Sequence, residues 1–307
     1  MILWAFAVIV AAILIAPFAA EALRPGMDAA ARDAAPGQFA DLPQGVTHYQ
    51  WLGADSGPLI VCVHGLTTPS FVWRPLAARL ERLGFRVLVY DLYGRGFSDR
   101  PDGTQDTRFF VTQLEELLDA LGVDEPITLM GYSMGGAIAA AFAAKHGPRL
   151  RQLALLAPAG MGHDLGPVAR LVVNHDWLGR WLFMAQYGRS FRTATEAERG
   201  LDSSIDNVVD LQQAELDWRG FRPAVLSSLR GALDEDMAKA HETIARNGPP
   251  VLAVWAREDE VIPISGMGRL AQWNRDARQE VIEGAGHALV YTHDAELGDL
   301  LDTHLKR

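Results

Sequence analysis

Short apolar runs recur along most of the chain, separated by stretches with helical spacing. Runs at 46–52, 59–63, 86–90, 127–131, 153–156, 251–255 and 279–282 read as strands. Several are almost wholly apolar, as Leu-Ile-Val-Cys-Val is at 59–63, the pattern of strands buried on both faces of a parallel sheet. Between them Phe110, Leu114, Leu117, Leu118 and Leu121 fall on one helical face, and Leu76, Leu80 and Leu83 do the same. The alternation predicts an α/β fold with a mostly parallel central sheet flanked by helices. It stops between about 161 and 248, where no strand-like run occurs and Trp177, Trp181, Phe183, Met184, Tyr187, Phe191, Trp218 and Phe221 stand among charged residues. That stretch predicts a helical cap inserted over one end of the sheet. Most of its aromatics are expected to form the cap's own core and a minority to face a ligand.

The first twenty residues carry no charge. A helix of that length spans about 30 Å, the thickness of a bilayer's hydrocarbon core, and Trp4 suits an interface. A cleaved signal peptide is the rival reading, because Ala20-Glu21-Ala22 has small residues in the right places for cleavage. Against it, no Lys or Arg precedes the apolar run, and the run exceeds the about 7–15 residues of a signal core. Arg24 and Arg32 follow the span, interleaved with Glu21, Asp28 and Asp33. This favours a single-span anchor with its body in the cytoplasm, and export after cleavage is the alternative. The Ala-rich stretch that follows, with Pro25, Gly26, Pro36 and Gly37, reads as a short helical stalk or linker. The expected organisation is an anchor (1–22), a stalk (23–44), the first part of an α/β core (45–160), the cap (161–248) and the second part of the core (249–307).

Composition narrows the partners. Lys plus Arg is 28 against 38 for Asp plus Glu, a net charge of −10, which repels polyanions and argues against nucleic-acid binding. A single cysteine cannot close an intrachain disulfide or supply a Cys-based zinc site, and Cys62, inside an apolar run, reads as a small buried hydrophobe. Neither His-Glu-x-x-His nor Gly-x-x-x-x-Gly-Lys occurs, so no metal and no cofactor are implied.

One segment carries chemistry. The apolar strand Ile127-Thr128-Leu129-Met130 runs into Gly131-Tyr132-Ser133-Met134-Gly135-Gly136, and a small-residue helical run follows. This is Gly-x-Ser-x-Gly in a strand–turn–helix setting, which holds a serine out at a helix N-terminus where developing negative charge is favoured. A serine hydroxyl needs a base held by a third group. The order serine, acid, histidine directs attention to Asp259, after the strand at 251–255, and to His287, after the strand at 279–282. Both loops leave the carboxyl ends of parallel strands, where such sheets carry their sites.

With these segments the chain resembles the α/β-hydrolase superfamily, in its capped branch with a Ser–Asp–His triad, the carboxylesterase and monoacylglycerol-lipase-like enzymes. Val63-His64-Gly65-Leu66, Asp91-Leu92-Tyr93-Gly94-Arg95-Gly96-Phe97-Ser98, the serine turn and Gly286-His287 carry the likeness. It extends over about 46–158 and 249–305 and leaves out the cap. The resemblance implies a nucleophile at Ser133, a base at His287, an orienting acid at Asp259 and an oxyanion hole from the backbone N–H groups of Leu66 and Met134. It also implies hydrolysis of a carboxylic ester with an apolar acyl or alcohol group, through an acyl-enzyme. The anchor makes a lipid-derived small-molecule substrate plausible. Ser133 stands where dehalogenases and epoxide hydrolases of this fold carry aspartate, which disfavours their alkyl-enzyme mechanism. One departure stands out: Ala288-Leu289-Val290-Tyr291 follows the histidine where relatives often have a proline and then an acid.

Rivals exist for each role. Glu258, Glu260, Asp234 and Asp236 compete for the acid, and His293 for the base. His64 is expected to be structural, Asp91 to order its loop, and His163, His175 and His241 to lie on the cap's surface. The same triad can cleave thioesters or C–C bonds or perform perhydrolysis. A non-catalytic binding protein on this fold is the reading from another class, although no triad residue is missing.

Overall fold

The apolar runs assemble into one eight-stranded sheet in the order β1-β2-β4-β3-β5-β6-β7-β8. The computed structural model describes residues 1–162 and 166–305. Its strands are β1 (Gln38–Leu42), β2 (Gly45–Gly53), β3 (Leu59–Val63), β4 (Arg86–Tyr90), β5 (Ile127–Tyr132), β6 (Leu150–Leu156), β7 (Val251–Ala256) and β8 (Arg278–Ile282). β2 runs antiparallel to β1 and β4, and every other pair is parallel. The helices outside the cap are α1 (Ile2–Ala22), α2 (Ala29–Arg32), α3 (Arg74–Arg82), α4 (Thr107–Ala120), α5 (Met134–His146), α11 (Gly266–Trp273), α12 (Leu289–Thr292) and α13 (Asp294–His304). Those of the cap are α6 (Gly166–Asn174), α7 (Asp176–Ala197), α8 (Val208–Ala214), α9 (Phe221–Arg230) and α10 (Ala238–Asn247).

β3 shows why the central strands are apolar throughout. Leu59, Val61 and Val63 join the core built with Leu114 of α4 and Ile138 of α5. Ile60 and Cys62 join the opposite core, with Leu76 of α3 and Leu301 of α13. Each face therefore removes side chains from water, at about 1.5–3 kcal/mol per large apolar residue. The cap has a core of its own, in which Phe183, Phe191, Leu216, Phe221, Val225 and Leu226 are buried together. Its aromatics thus serve mainly the cap's interior, while Trp177 stays exposed.

The stretch at 23–44 differs from a free stalk. Asp28 caps α2 by accepting a bond from the Ala31 N–H (3.0 Å). Arg32 of α2 donates to the Phe97 carbonyl (2.9 Å) and to Asp99 (2.5 Å). β1 then adds an antiparallel edge to β2. Only Ala40 and Leu42 of that strand are buried, and Phe39 is exposed, so an edge strand covered on one side leaves no apolar run to be read.

His241 corrects a second expectation. His175 is exposed and His163 lies outside the described residues, but His241 is fully buried. Met237, His241 and Ile244 bury one face of α10 and its approach at helical spacing, a periodicity visible in the sequence. The ring stacks on Trp273 with centroids 6.2 Å apart, and neither ring nitrogen has a hydrogen-bond partner among the described residues. Desolvation lowers its pKa from 6.5 to about 4, and the buried His64 is lowered to about 4 by the same cause. Both imidazoles bind a proton less readily folded than unfolded. Each therefore contributes stability that is present above pH 6.5 and is lost as the pH falls toward 4. The loss amounts to about 2–3 kcal/mol apiece. Replacing His241 by phenylalanine should reduce the fall in unfolding free energy, taken from denaturant titrations, between neutral pH and about 4.5 by that amount. An unaltered slope would show that His241 does not titrate with unfolding.

Candidate active site

β5 delivers the chain into a tight turn that depends on glycine at two positions. Ser133 has φ 54° and ψ −121°, left-handed for a residue with a side chain, and such strain persists only where the surroundings over-determine it. Here the Ser133 N–H donates to the Leu156 carbonyl (3.0 Å), and its own carbonyl accepts from the N–H groups of Gly136 and Ala159 (2.9 Å each). Two glycines permit the close crossing. A Cβ at Gly131 would lie 2.3 Å from the Gly135 carbonyl oxygen, and one at Gly135 would lie 2.1 Å from that of Val63. α5 begins immediately after the serine, so Ser133 Oγ stands at a helix N-terminus.

The loops after β7 and β8 bring two further groups to that point. Asp259 is buried. Its Oδ1 accepts from the N–H groups of Val261 (2.8 Å) and Ile262 (2.7 Å), while Oδ2 lies 2.8 Å from His287 Nδ1. His287 Nε2 lies 3.0 Å from Ser133 Oγ. An ionised carboxylate can only accept, so Nδ1 carries the ring proton, Nε2 is left as an acceptor, and the serine hydroxyl donates to it. Tyr132 holds the histidine from behind: its hydroxyl donates to the His287 carbonyl (2.7 Å) and its ring lies 5.3 Å from the imidazole.

Two of the rivals are engaged elsewhere. Asp236 accepts from the Ala238 N–H (2.7 Å), and His293 Nδ1 faces the Thr292 hydroxyl (3.0 Å). Glu260 borders the cavity described below without bonding His287. His64 accepts from the Leu92 N–H (2.9 Å). Asp91 accepts from the N–H groups of Ser70 (2.8 Å) and Phe97 (2.9 Å), tying two loops together.

The Leu66 and Met134 N–H groups make no bond among the described residues, and Leu66 borders the same cavity as Ser133. The Leu66 carbonyl, one peptide unit further on, accepts from Arg95 Nε (2.9 Å) and so ties down the same residue. That guanidinium is fully buried and also donates to the Tyr93 carbonyl (2.9 Å) and the Ser228 hydroxyl (2.8 Å). Burial lowers its pKa to about 9. Sequence reading passed over this brace, and its signal was an arginine set between Gly94 and Gly96. A cavity of about 510 Å³ opens over the serine, with apolar walls from Phe191, Leu229 and Leu233. One side is polar: the Tyr291 hydroxyl donates to Glu198 (2.9 Å), and Gln212 donates to the Thr68 hydroxyl (3.1 Å). Tyr291 accounts for the departure after the histidine, since Leu289, Val290 and Tyr291 form the buried α12 against the site. Among the described residues no three His, Cys, Asp or Glu side chains cluster as metal ligands would.

A family model described as alpha/beta hydrolase fold matches residues 58–294, and the chain belongs to that family. A 2-hydroxymuconate semialdehyde hydrolase of Pseudomonas sp. strain CF600 is 30% identical over 227 residues, 68% of this chain and 74% of that protein. An uncharacterized protein of Mycobacterium tuberculosis is 33% identical over 118 residues, 38% of this chain and only 34% of its own length. An esterase from Exiguobacterium antarcticum shares the fold with a TM-score of 0.71 at 19% identity, covering 87% of this chain and 98% of its own.

Proposed function

We propose that the protein is a serine hydrolase that cleaves carboxylic esters with an apolar acyl or alcohol group. The observation that carries this reading is the continuous relay from Ser133 Oγ to His287 Nε2 (3.0 Å) and from His287 Nδ1 to Asp259 Oδ2 (2.8 Å). In the reaction His287 takes the hydroxyl proton as Ser133 attacks the carbonyl carbon, and Asp259 fixes the ring's tautomer and stabilises the imidazolium. The Leu66 and Met134 N–H groups receive the oxyanion, one such donor contributing about 2.7–4 kcal/mol to the barrier reduction. The imidazolium then protonates the leaving alkoxide. Water, deprotonated by His287, releases the acid and restores the serine.

The apolar walls of the cavity support an aliphatic or aryl group on one side of the scissile bond. Turnover on p-nitrophenyl esters of graded chain length should rise with length to an optimum. A fluorophosphonate probe should label Ser133 and lose that label in His287→Ala. Folded enzyme that neither turns over any ester nor takes the probe would overturn the reading. C–C bond hydrolysis is the second reading, favoured by the relative that acts on 2-hydroxymuconate semialdehyde, and a vinylogous diketone in the same panel separates the two.

In this reading α1 is an uncleaved membrane anchor, one helix of 21 residues with a mean hydropathy of 2.7 over its most apolar window. Support comes from Glu21, the middle residue of the cleavage-like Ala20-Glu21-Ala22. Its buried carboxylate accepts from the Gly220 N–H (2.7 Å) at the start of α9 and pairs with Arg24 (3.2 Å). Signal removal would strip the cap of that group. The body is assigned to the cytoplasmic side, because Arg24 and Arg32 follow the helix. A membrane-impermeant fluorophosphonate should accordingly label Ser133 only after cells are permeabilised.

A further inference from the structure

α1 does not stand clear of the body. The Trp181 indole N–H donates to the Ile13 carbonyl (3.4 Å). The Arg180 guanidinium lies 5.7 Å over the Phe18 ring, and Phe18 packs on the cap's core. Further along, Arg24 donates to the Leu216 carbonyl, and the Arg219 N–H donates to that of Pro25 (2.8 Å). The helix is therefore fastened along α7 from Ile13 to its end, while its first half is bare: Ile2, Leu3, Trp4 and Phe6 are 87%, 83%, 79% and 67% exposed.

This arrangement constrains how the helix can cross a bilayer. Its 21 residues give about 31 Å, and the part ahead of the last turn about 26 Å, so a hydrocarbon core of about 30 Å takes up nearly all of the helix. The part from Ile13 to Ala22, about 14 Å, runs beside α7. A spanning α1 thus carries the near edge of the cap into the membrane surface. With its last turn and Glu21 among the headgroups, the Trp181 edge sits roughly 8–10 Å down, the depth of interfacial helices at about 5–10 Å. The cap is built for that position. Trp177, Leu178 and Leu171 are exposed at 59%, 45% and 41% at the α6–α7 corner. The two helices meet there closely enough that a Cβ at Gly179 would lie 2.2 Å from the Val172 carbonyl oxygen. Trp is favoured at headgroup level, and a long arginine such as Arg180 can reach phosphate from beside an apolar ring.

We infer that the cap is a second membrane-contacting element: the α6–α7 corner, through Leu171, Trp177 and Leu178, lies in the interfacial layer of a phospholipid bilayer beside the point where α1 enters it. α7 then links lipid to the cavity, since Tyr187 and Phe191, further along the same helix, line the space above Ser133. The inference rests on α1 being an anchor and is independent of the bond cleaved.

The test uses the full chain with one introduced cysteine at a time, Val10→Cys, Leu178→Cys or Glu242→Cys. Cys62 is buried and its thiol pKa is pushed up by desolvation, so it leaves the background quiet. Each protein is labelled with an environment-sensitive fluorophore and reconstituted into phosphatidylcholine–phosphatidylglycerol vesicles carrying spin-labelled lipid quencher. Quenching at position 178 should approach that at position 10 and exceed that at the exposed position 242 several-fold. Quenching at 10 with no excess at 178 over 242 would overturn the cap contact and leave the anchor standing. Quenching at neither 10 nor 178 would overturn both.

Discussion

Replacing Ser133 by alanine is expected to lower kcat/KM on the best ester by roughly 10⁴- to 10⁶-fold. Among the described residues the hydroxyl bonds His287 Nε2 alone, whereas the bonds holding the turn come from the backbone N–H and carbonyl of residue 133. Alanine keeps those and has to adopt the same φ of 54°, so circular dichroism and thermal midpoint should stay close to those of the unmodified protein. The Leu66 and Met134 N–H groups and the cavity remain, so substrate should still bind with little change in affinity. Their residual catalysis over water, on the order of 10³-fold in comparable hydrolases, sets the floor. A loss of less than tenfold would mean that Ser133 does not attack the substrate, and the ester reading would fall with it.

The parts of the fold and site that the sequence reveals are those encoded by neighbouring residues. The run Leu59-Ile60-Val61-Cys62-Val63 reads as a strand because every side chain is buried on one face or the other, and no distant partner needs to be known. The serine turn is legible for the same reason, since the crowding that Gly131 and Gly135 relieve lies within the turn and the adjoining strand. Asp259 and His287 are read from position after strands, yet their meeting with a serine 154 residues from the histidine is tertiary. What the sequence conceals depends on that level. β1 is an edge strand whose outer side stays in water, so nothing marks it in the composition. Arg95 and Glu21 look like surface charges until the Leu66 peptide and the Gly220 N–H arrive beside them. Glu198 borders the cavity and there accepts from Tyr291, a residue 93 positions away.

Asp259→Asn is expected to cost about 10³- to 10⁴-fold in kcat at neutral pH while KM changes little. The side chain has two separable duties. Oδ1 holds the loop by accepting from Val261 and Ile262 (2.8 and 2.7 Å), and an asparagine carbonyl oxygen can continue to do so. The amide nitrogen is then turned toward His287 Nδ1, where Oδ2 sat at 2.8 Å. As a donor it requires Nδ1 to accept, which moves the ring proton to Nε2 and leaves no acceptor for the Ser133 hydroxyl. The imidazolium formed during acylation also loses its counter-charge. Because acylation is the step affected, fluorophosphonate labelling should slow by a comparable factor, which a purely structural defect in the substrate cavity would not produce. Glu258 and Glu260 flank the position and provide the contrary outcome. Retention of kcat within tenfold in Asp259→Asn, with activity lost instead in Glu260→Gln or Glu258→Gln, would transfer the orienting role to a neighbour.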